Sequence, residues 1–385
     1  MPHLQDRRPE FARPNEPGPT PNAIEQDADD SEALCEQVRR ARVEQTSLRI
    51  AGGNTKAFYG RSICAGAELS TRRHRGVVHY DPVELVATAR AGTALGDLER
   101  LLADNGQRLA FEPPHFGESA TVGGMVATGL SGPRRPWVGA VRDFVLGVRL
   151  ITQEGKHLRF GGEVMKNVAG YDLSRLMVGA QGTLGVLTEI SFKVLPKPAA
   201  SACLRLELFA EVARQRLCEW GRLPLPITGA AFEPASHGNR GILHLRLEGG
   251  EGSVNATRQR IGGEEESHRY WEDLREHRLP LFLEPDPRPL WRLSLPSRAS
   301  RPAIEGDWLI DWGGTQVWLR SGERDIAIFE AAQAAGGHAT RFTPCGSESS
   351  PFTPLPPVMS RYHRQLKSRL DPEGLFNPGR LYADW

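Results

Sequence analysis

The sequence predicts an α+β fold: a first unit of short strands and helices broken by glycine-rich loops, then a smaller α+β unit built on an antiparallel sheet. Two observations predict it. Short apolar runs alternate with helix-spaced ones as far as Pro196-Lys197-Pro198, and glycine-rich words recur among them. Beyond that proline pair the strand-like and helix-like runs change character, the mark of a second layer arrangement. With 385 residues the chain can bury two cores.

The elements follow in order. Residues 1–28 are polar and proline-rich, with too little apolar surface to offset ordering entropy, and are expected to be a disordered tail. Asp29 and Glu32 fit a helix start, followed by Leu34, Val38 and Ala41 at helical spacing. Ser47 to Ile50 reads as a strand running into Ala51-Gly52-Gly53-Asn54-Thr55-Lys56, and Val77 to Tyr80 as another. Thr93 is placed to cap a helix carrying Leu95, Leu98, Leu101 and Leu102, closed by Asn105-Gly106. Residues 111–139 are rich in Gly and Pro and show little periodicity, which points to a functional loop. Val145 to Ile151 and His157 to Phe160 form a hairpin reading, and Asp172 caps a short helix. From Leu187 to Leu195, Ile190, Phe192 and Val194 alternate with Glu189, Ser191 and Lys193, a half-buried strand.

In the second half, Leu204 to Leu208, Ile242 to Leu247 and Gln316 to Leu319 read as strands, and Glu211 to Trp220 and Glu323 to Ala335 as helices. Residues 279–303 are expected to be irregular. A last helix spans Val358 to Leu370. The expected division is a first domain over 29–198, a reduced α+β cap over 199–356, and a terminal helix and tail over 357–385 that return to the first domain.

Composition excludes several classes. Forty-eight basic and 47 acidic residues leave a net charge of +1, so no strongly basic nucleic-acid footprint exists. The five cysteines, Cys35, Cys64, Cys203, Cys218 and Cys345, form no CxxC pair, which argues against a zinc ribbon, a disulfide framework or a cysteine-bound iron–sulfur cluster. No metal site is expected. No stretch approaches the roughly 20 apolar residues of a membrane span, and no GxGxxG or Walker A loop occurs.

Three glycine-rich words carry the chemistry. After a strand, Gly52 and Gly53 would permit positive φ and close approach of a ligand. Their N–H groups can form an anion nest, with Asn54, Thr55 and Lys56 adding donors and charge, or the word is a tight turn. Pro113 to Gly124, followed by Thr128-Gly129-Leu130-Ser131-Gly132, offers backbone amides to a flat ring system, with Val122, Met125, Val126 and Leu130 buried between the glycines. Gly179-Ala180-Gln181-Gly182-Thr183-Leu184-Gly185 precedes a strand.

In order and spacing these words resemble the FAD-binding domain of the family that includes vanillyl-alcohol oxidase and p-cresol methylhydroxylase, and more closely the FAD-binding subunits of bacterial glycolate oxidases. The carrying residues are Ala51 to Phe58, Phe111 to Gly117, Leu130 to Trp137, Gly161 to Leu173 and Phe376-Asn377-Pro378-Gly379-Arg380. The resemblance implies that Gly52, Gly53, Asn54 and Thr55, with Lys56 beside them, hold the FAD pyrophosphate. It implies that Thr121, Gly123 and Gly124, and Gly129, Ser131 and Gly132, line the flavin and its linker. Gly139 and Asp143 would sit beside the cofactor, and the strand around Ile190 would meet the adenine end. Asn54 stands where relatives with covalent flavin carry a histidine, so non-covalent FAD is expected.

The implied function is a subunit of a glycolate oxidase complex, oxidising a 2-hydroxy acid and passing electrons to an iron–sulfur subunit beside a sister FAD-dependent catalytic subunit. Two other readings stand: a self-sufficient 2-hydroxy acid dehydrogenase, and a non-catalytic assembly subunit. Catalytic relatives carry His-x-Gly-Asp-Gly-Asn-x-His; this chain has His237-Gly238-Asn239-Arg240-Gly241-Ile242-Leu243-His244, without the aspartate. His244 and His115 are the weak candidates for proton transfer, and each also reads as structural. Arg134 and Arg135 suit a carboxylate, a phosphate or a partner. The expected place is the cytoplasm, at the inner face of the cell membrane through partner subunits.

Overall fold

A computed structural model of the chain describes residues 27–162, 172–235, 240–283, 285–345 and 349–384. Most of the tail, Glu163 to Tyr171 and His237 lie outside these residues. Asp27 and Ala28, which the sequence assigns to the tail, are placed: Ala28 exchanges main-chain hydrogen bonds of 2.9 and 3.0 Å with Arg75, and Asp27 pairs with Arg90.

Helix Ser31–Val43 buries Leu34, Cys35, Val38 and Ala41 against Leu48, Leu69, Ile151 and Val186. Its cap position is Asp30, while Asp29 accepts from the Ser31 N–H at 3.0 Å. Strand Leu48–Ala51 pairs in parallel with Ala67–Ser70. The first unit's main sheet is five-stranded and antiparallel, in the order Val77–Asp81, Val86–Arg90, Val186–Lys193, Val145–Ile151, His157–Gly161. The central strand corrects the half-buried reading, because Val186 to Phe192 are all buried. Its polar residues are buried with partners: Ser191 Oγ lies 2.8 Å from Thr88 Oγ1, and Thr188 Oγ1 donates to the Arg149 carbonyl at 3.0 Å.

Thr93 does not cap the helix Leu95–Asp104, whose cap position is Ala94; its hydroxyl instead bridges the N–H and C=O of Gly76. The aperiodic region contains a helix, Val122–Thr128. Thr121 Oγ1 caps it by accepting from Gly124 N at 3.2 Å, and Gly129 ends it with φ 63°. Gly123 lets this short helix lie on Ala91, since a Cβ there would come within 2.8 Å of the Ala91 Cβ. The glycines that permit the packing also hide the helical pattern.

The second unit is one eight-stranded sheet in which every pairing is antiparallel. Its order is Glu264–Glu265, Ala200–Phe209, Arg240–Gly249, Ile227–Pro234, Asp307–Asp311, Gln316–Arg320, Leu290–Ser294, His338–Arg341. Strand Leu290–Ser294 lies within the span expected to be irregular; it buries Leu290, Trp291 and Leu293, and prolines flank it on both sides. Helices Ala210–Trp220, Glu251–Ile261 and Asp325–Ala334 pack on one face of the sheet. The opposite face meets Tyr59, Leu130 and Phe116 of the first unit.

After helix Pro357–Leu370 the chain is stitched back to the first unit. Lys367 donates to Asp371 at 2.5 Å, to the Thr183 carbonyl at 2.7 Å and to the Phe376 carbonyl at 3.0 Å. Asn377 accepts from Ile50 N at 2.7 Å and donates to the Gln181 carbonyl at 2.6 Å, with φ 42°. Asn377→Ala removes both side-chain bonds and leaves alanine in the left-handed region. We expect a loss on the order of 2–3 kcal/mol, measured by urea unfolding; wild-type stability would refute the tail's role as a clamp.

Candidate functional site

A cavity of about 420 Å³ opens where the loop after Leu48–Ala51, helix Val122–Thr128, the segment around Met177 to Gly185 and the C-terminal tail converge. This size lies in the usual range for small-molecule sites. Gly52, Gly53, Asn54, Thr55, Lys56, Thr121, Gly123 and Gly124 all line it.

The glycine loop works differently from the sequence expectation. Neither Gly52 nor Gly53 has left-handed backbone; Asn54 does, at φ 59°. The two glycines are demanded by crowding. A Cβ on Gly53 would lie 1.5 Å from the Ser119 carbonyl oxygen, and one on Gly52 would lie 2.4 Å from Thr121 Oγ1. The second glycine word is thus packed beneath the first. The N–H groups of Gly52, Gly53, Asn54, Thr55 and Lys56 find no acceptor among the described residues. A run of unpaired main-chain donors along a cavity wall is an anion cradle.

Two cations complete it. Lys56 is buried, donates to the His115 carbonyl at 3.0 Å and lies 5.7 Å from the Phe116 ring centre. Burial pushes its ammonium down to about 8, against the pull of Glu276. Arg380 donates to Gln181 Oε1 at 2.9 Å and to the carbonyls of Arg61, Lys56, Ala57 and Tyr59. Burial, then the charge of Arg49, pushes it down to about 10. Neither cation is ion-paired with a carboxylate among the described residues. Unmatched buried charge is costly, and an anion in the cavity offsets it. Sequence reasoning placed Arg380 in a matching word but not in the site; its distance along the chain hid it.

Ala51, Ala91, Ala127, Met177, Leu184 and Leu187 give the rest of the wall an apolar surface. A diphosphate on the donor loop and a flat ring on this surface fit the residues present, so the site suits FAD.

The remaining candidates lie elsewhere. Gly129 ends its helix, Ile190 is fully buried in the sheet, and Gly139 has φ 104° beside Asp143, which accepts from Ala140 N at 2.8 Å. None of these lines the large cavity. Ser131 and Gly132 line a second, small cavity of about 20 Å³ between the two units, with Arg292, Asp311, Gln316 and Trp318 opposite. His115 Nε2 lies 2.9 Å from Glu99 Oε2, and His115 lines neither cavity. His244 is buried in its strand, with Nδ1 2.8 Å from Glu266 and its ring stacked on Tyr270 at 3.7 Å; it also lines neither. Among the described residues no cluster of His, Cys, Asp and Glu is placed to hold a metal ion.

The two arginines separate. Arg134 is fully buried between Glu112 and Glu248. Arg246 makes paired bonds to Glu112 at 2.8 and 2.9 Å, and Arg108 meets Glu248 at 3.2 Å. Although burial works against the charge, Arg246 and Arg134 hold Glu112 below the usual carboxylate range. Arg135 lies over the Trp312 ring at 4.5 Å.

Comparison with known proteins agrees with this geometry. The family description "FAD binding domain" matches residues 27–161. The chain is 56% identical over 358 residues to the glycolate oxidase subunit GlcE of Escherichia coli (strain K12), spanning 93% of this chain and 99% of that protein. It is 33% identical over 153 residues to the glycolate oxidase subunit GlcD of Bacillus subtilis (strain 168), which is 38% of this chain and 32% of that protein. Among solved structures, 4-ethylphenol oxidase from Gulosibacter chungangensis superimposes with a TM-score of 0.64 at 13% identity, covering 92% of this chain and 88% of that chain. Alkyldihydroxyacetonephosphate synthase gives 0.63 at 19%, covering 90% and 74%. The fold is therefore an FAD-binding domain of the p-cresol methylhydroxylase type with an antiparallel cap.

Two outcomes follow from this geometry. Gly53→Ala forces the loop off Ser119 and is expected to cost on the order of 1–3 kcal/mol, with loss of FAD binding. Unchanged thermal melting and FAD affinity would show that the loop has room. Asp311 is buried and accepts from Trp312 N at 2.6 Å and Gln316 Nε2 at 3.1 Å; burial pushes its carboxyl up to about 7. The native state thus keeps a proton that the unfolded chain releases above the ordinary carboxylate value, and stability falls as pH rises from about 4 to about 7. Asp311→Asn removes that dependence, so its melting temperature relative to wild type should rise from about pH 5 to about pH 8. A gap that ignores pH would mean that Asp311 is ionised throughout.

Proposed function

We infer the function from kinship and geometry together: the chain belongs to the family of the glycolate oxidase subunit GlcE, and we propose that it is the FAD-binding subunit of a glycolate oxidase complex. The observation that carries the reading is the cradle, where unpaired donors from Gly52 to Lys56 share a wall with Lys56 and Arg380. Those groups would hold the diphosphate of FAD. Thr121, Gly123 and Gly124 would border its linker, and Ser131 and Gly132 would stand at the end nearest the cap. Once bound, FAD supplies a two-electron acceptor for the carbon that bears the hydroxyl of a 2-hydroxy acid.

Among the described residues no histidine, cysteine or tyrosine lines the cavity, which supports non-covalent attachment. All five cysteines are free thiols. An iron–sulfur cluster that takes the electrons onward would therefore belong to a partner subunit, and a sister flavoprotein would complete the complex. No helix among the described residues is long and apolar enough to cross a membrane. Contact with one would run through those partners.

The test is a titration of the apo chain with FAD, read by quenching of flavin fluorescence. Lys56→Gln and Arg380→Gln should each weaken binding about tenfold or more. Wild-type affinity in both variants would remove the cradle from the cofactor site. In the assembled complex, anaerobic glycolate should bleach the oxidised-flavin band; an unchanged band would reject glycolate as the substrate.

A further inference from the structure

One peptide group joins the anion cradle to the cap. Lys56 Nζ donates to the His115 carbonyl at 3.0 Å, and the Phe116 N–H of the same peptide unit donates to Glu276 Oε2 at 2.9 Å. Lys56 lines the large cavity in the first unit, and Glu276 follows helix Arg269–Arg275 in the cap. The order ammonium, peptide, carboxylate thus runs from the cavity wall to the second unit. A peptide polarised at both ends binds each partner more firmly than two separate bonds would.

Both ends of this bridge are held in place. The His115 N–H also donates to Glu276, at 3.1 Å, and Arg275 Nε does so at 2.8 Å; the Glu276 side chain is largely buried. Although burial works against its charge, Arg275 and the two main-chain donors hold Glu276 below the usual carboxylate range. His277, the next residue, stacks on Phe282 at 4.2 Å and lies 4.8 Å from the Phe116 ring centre. Phe116 and His277 both have left-handed backbone, at φ 54° and φ 55°. Side chains rarely adopt that conformation, and here one such residue flanks the bridge on each side of the seam.

Lys56 has a use for a partner held at this remove. It is buried, and burial disfavours its charge; Glu276 opposes that effect without an ion pair among the described residues. A carboxylate in direct contact would neutralise the ammonium and compete with an incoming anion. One peptide away, it supports the charge and leaves the cavity side of Lys56 to a ligand. We propose that Glu276 is a positioning residue for the cofactor's diphosphate: acting from the cap through the His115–Phe116 peptide, it holds Lys56 ready for the anion and so ties cofactor affinity to the seating of the cap. The proposal rests on the FAD reading for the identity of that anion.

The charged and titratable groups around the ammonium are Glu276 with Arg275 from the cap, His115 with Glu99 from the first unit, and Arg380 of the tail, which donates to the Lys56 carbonyl. Lys56 holds an anion while protonated, so affinity is full below about pH 8 and falls above it. Without the Glu276 charge the fall begins at lower pH.

The test titrates the full-length chain with FAD from about pH 6 to about pH 9, read by quenching of flavin fluorescence, with folding followed separately by thermal melting. Glu276→Gln keeps an acceptor for Phe116 and removes the charge. It should weaken FAD about fivefold or more at pH 8 and move the fall in affinity to lower pH. Glu276→Asp, with the charge on a shorter side chain, should fall between. In the Lys56→Gln background Glu276→Gln should have no further effect on FAD affinity, whereas a merely structural role would weaken both backgrounds alike. Should Glu276→Gln not fold, Glu276→Asp in the same two backgrounds decides the matter. Wild-type affinity and pH profile in the Glu276 variants, or an equal loss in the Lys56→Gln background, overturn the coupling and leave the cofactor reading standing. A wild-type chain that does not bind FAD overturns both.

Discussion

The two units are fixed to each other by a buried ion network, and the small cavity between them depends on it. Glu112 of the first unit accepts from Arg246 in the cap strand Arg240–Gly249 and from the Arg134 backbone at 3.0 Å, while the Arg134 side chain reaches Glu248 on the same strand. Such a network adds little net stability over an apolar contact, but breaking one member is costly, on the order of 3–5 kcal/mol, because a charge is stranded. Its effect is therefore to fix position. It holds residues 112–134 against the cap, and the small cavity lies in the seam that results.

Two sets of cations can be told apart by their partners among the described residues. Arg134, Arg246 and Lys367 are matched by carboxylates and act as fasteners. Buried Lys56 and the partly buried Arg380 and Arg292 rest on carbonyls, a hydroxyl or aromatic faces instead, and the exposed Arg135 lies over the Trp312 ring. The unmatched set sorts by place: two beside the glycine loop and two at the seam. Fasteners hold the frame, while Lys56 and Arg380 line the large cavity, where the proposed cofactor's diphosphate would answer them. This division follows from desolvation, since a charge withdrawn from water must be answered within the fold or by a ligand.

Much of this was legible in the sequence, for physical reasons that also explain the misses. The strand before Gly52, the hairpin from Val145, the cap strands and the last helix announce themselves by periodicity, because each buries one regular face. Helix Val122–Thr128 does not, because glycines replace the side chains that would show its period. The central strand looked half-buried because Glu189, Ser191 and Lys193 alternate with its apolar residues, and the cross-strand partners of Glu189 and Ser191 could not be seen. The glycine loop was recognised, but for the wrong mechanical reason. Its glycines are set by Ser119 and Thr121, far along the chain, and composition does not reveal such crowding. Arg380 was missed as a site residue for a similar reason, since only the tail clamp brings it to Lys56 and Ala57.

That clamp has a consequence for biosynthesis. Phe376 forms a parallel bridge with Leu48, and Asn377 and Arg380 close the cavity whose opposite wall begins at Arg49. The wall supplied by the tail leaves the ribosome after every other wall of the pocket. A nascent chain can fold its first sheet early, yet it holds only an open trough, short of one of its two cations. Tight cofactor loading is thereby deferred until residues 377–380 have emerged, and a product truncated before them is left without a complete pocket.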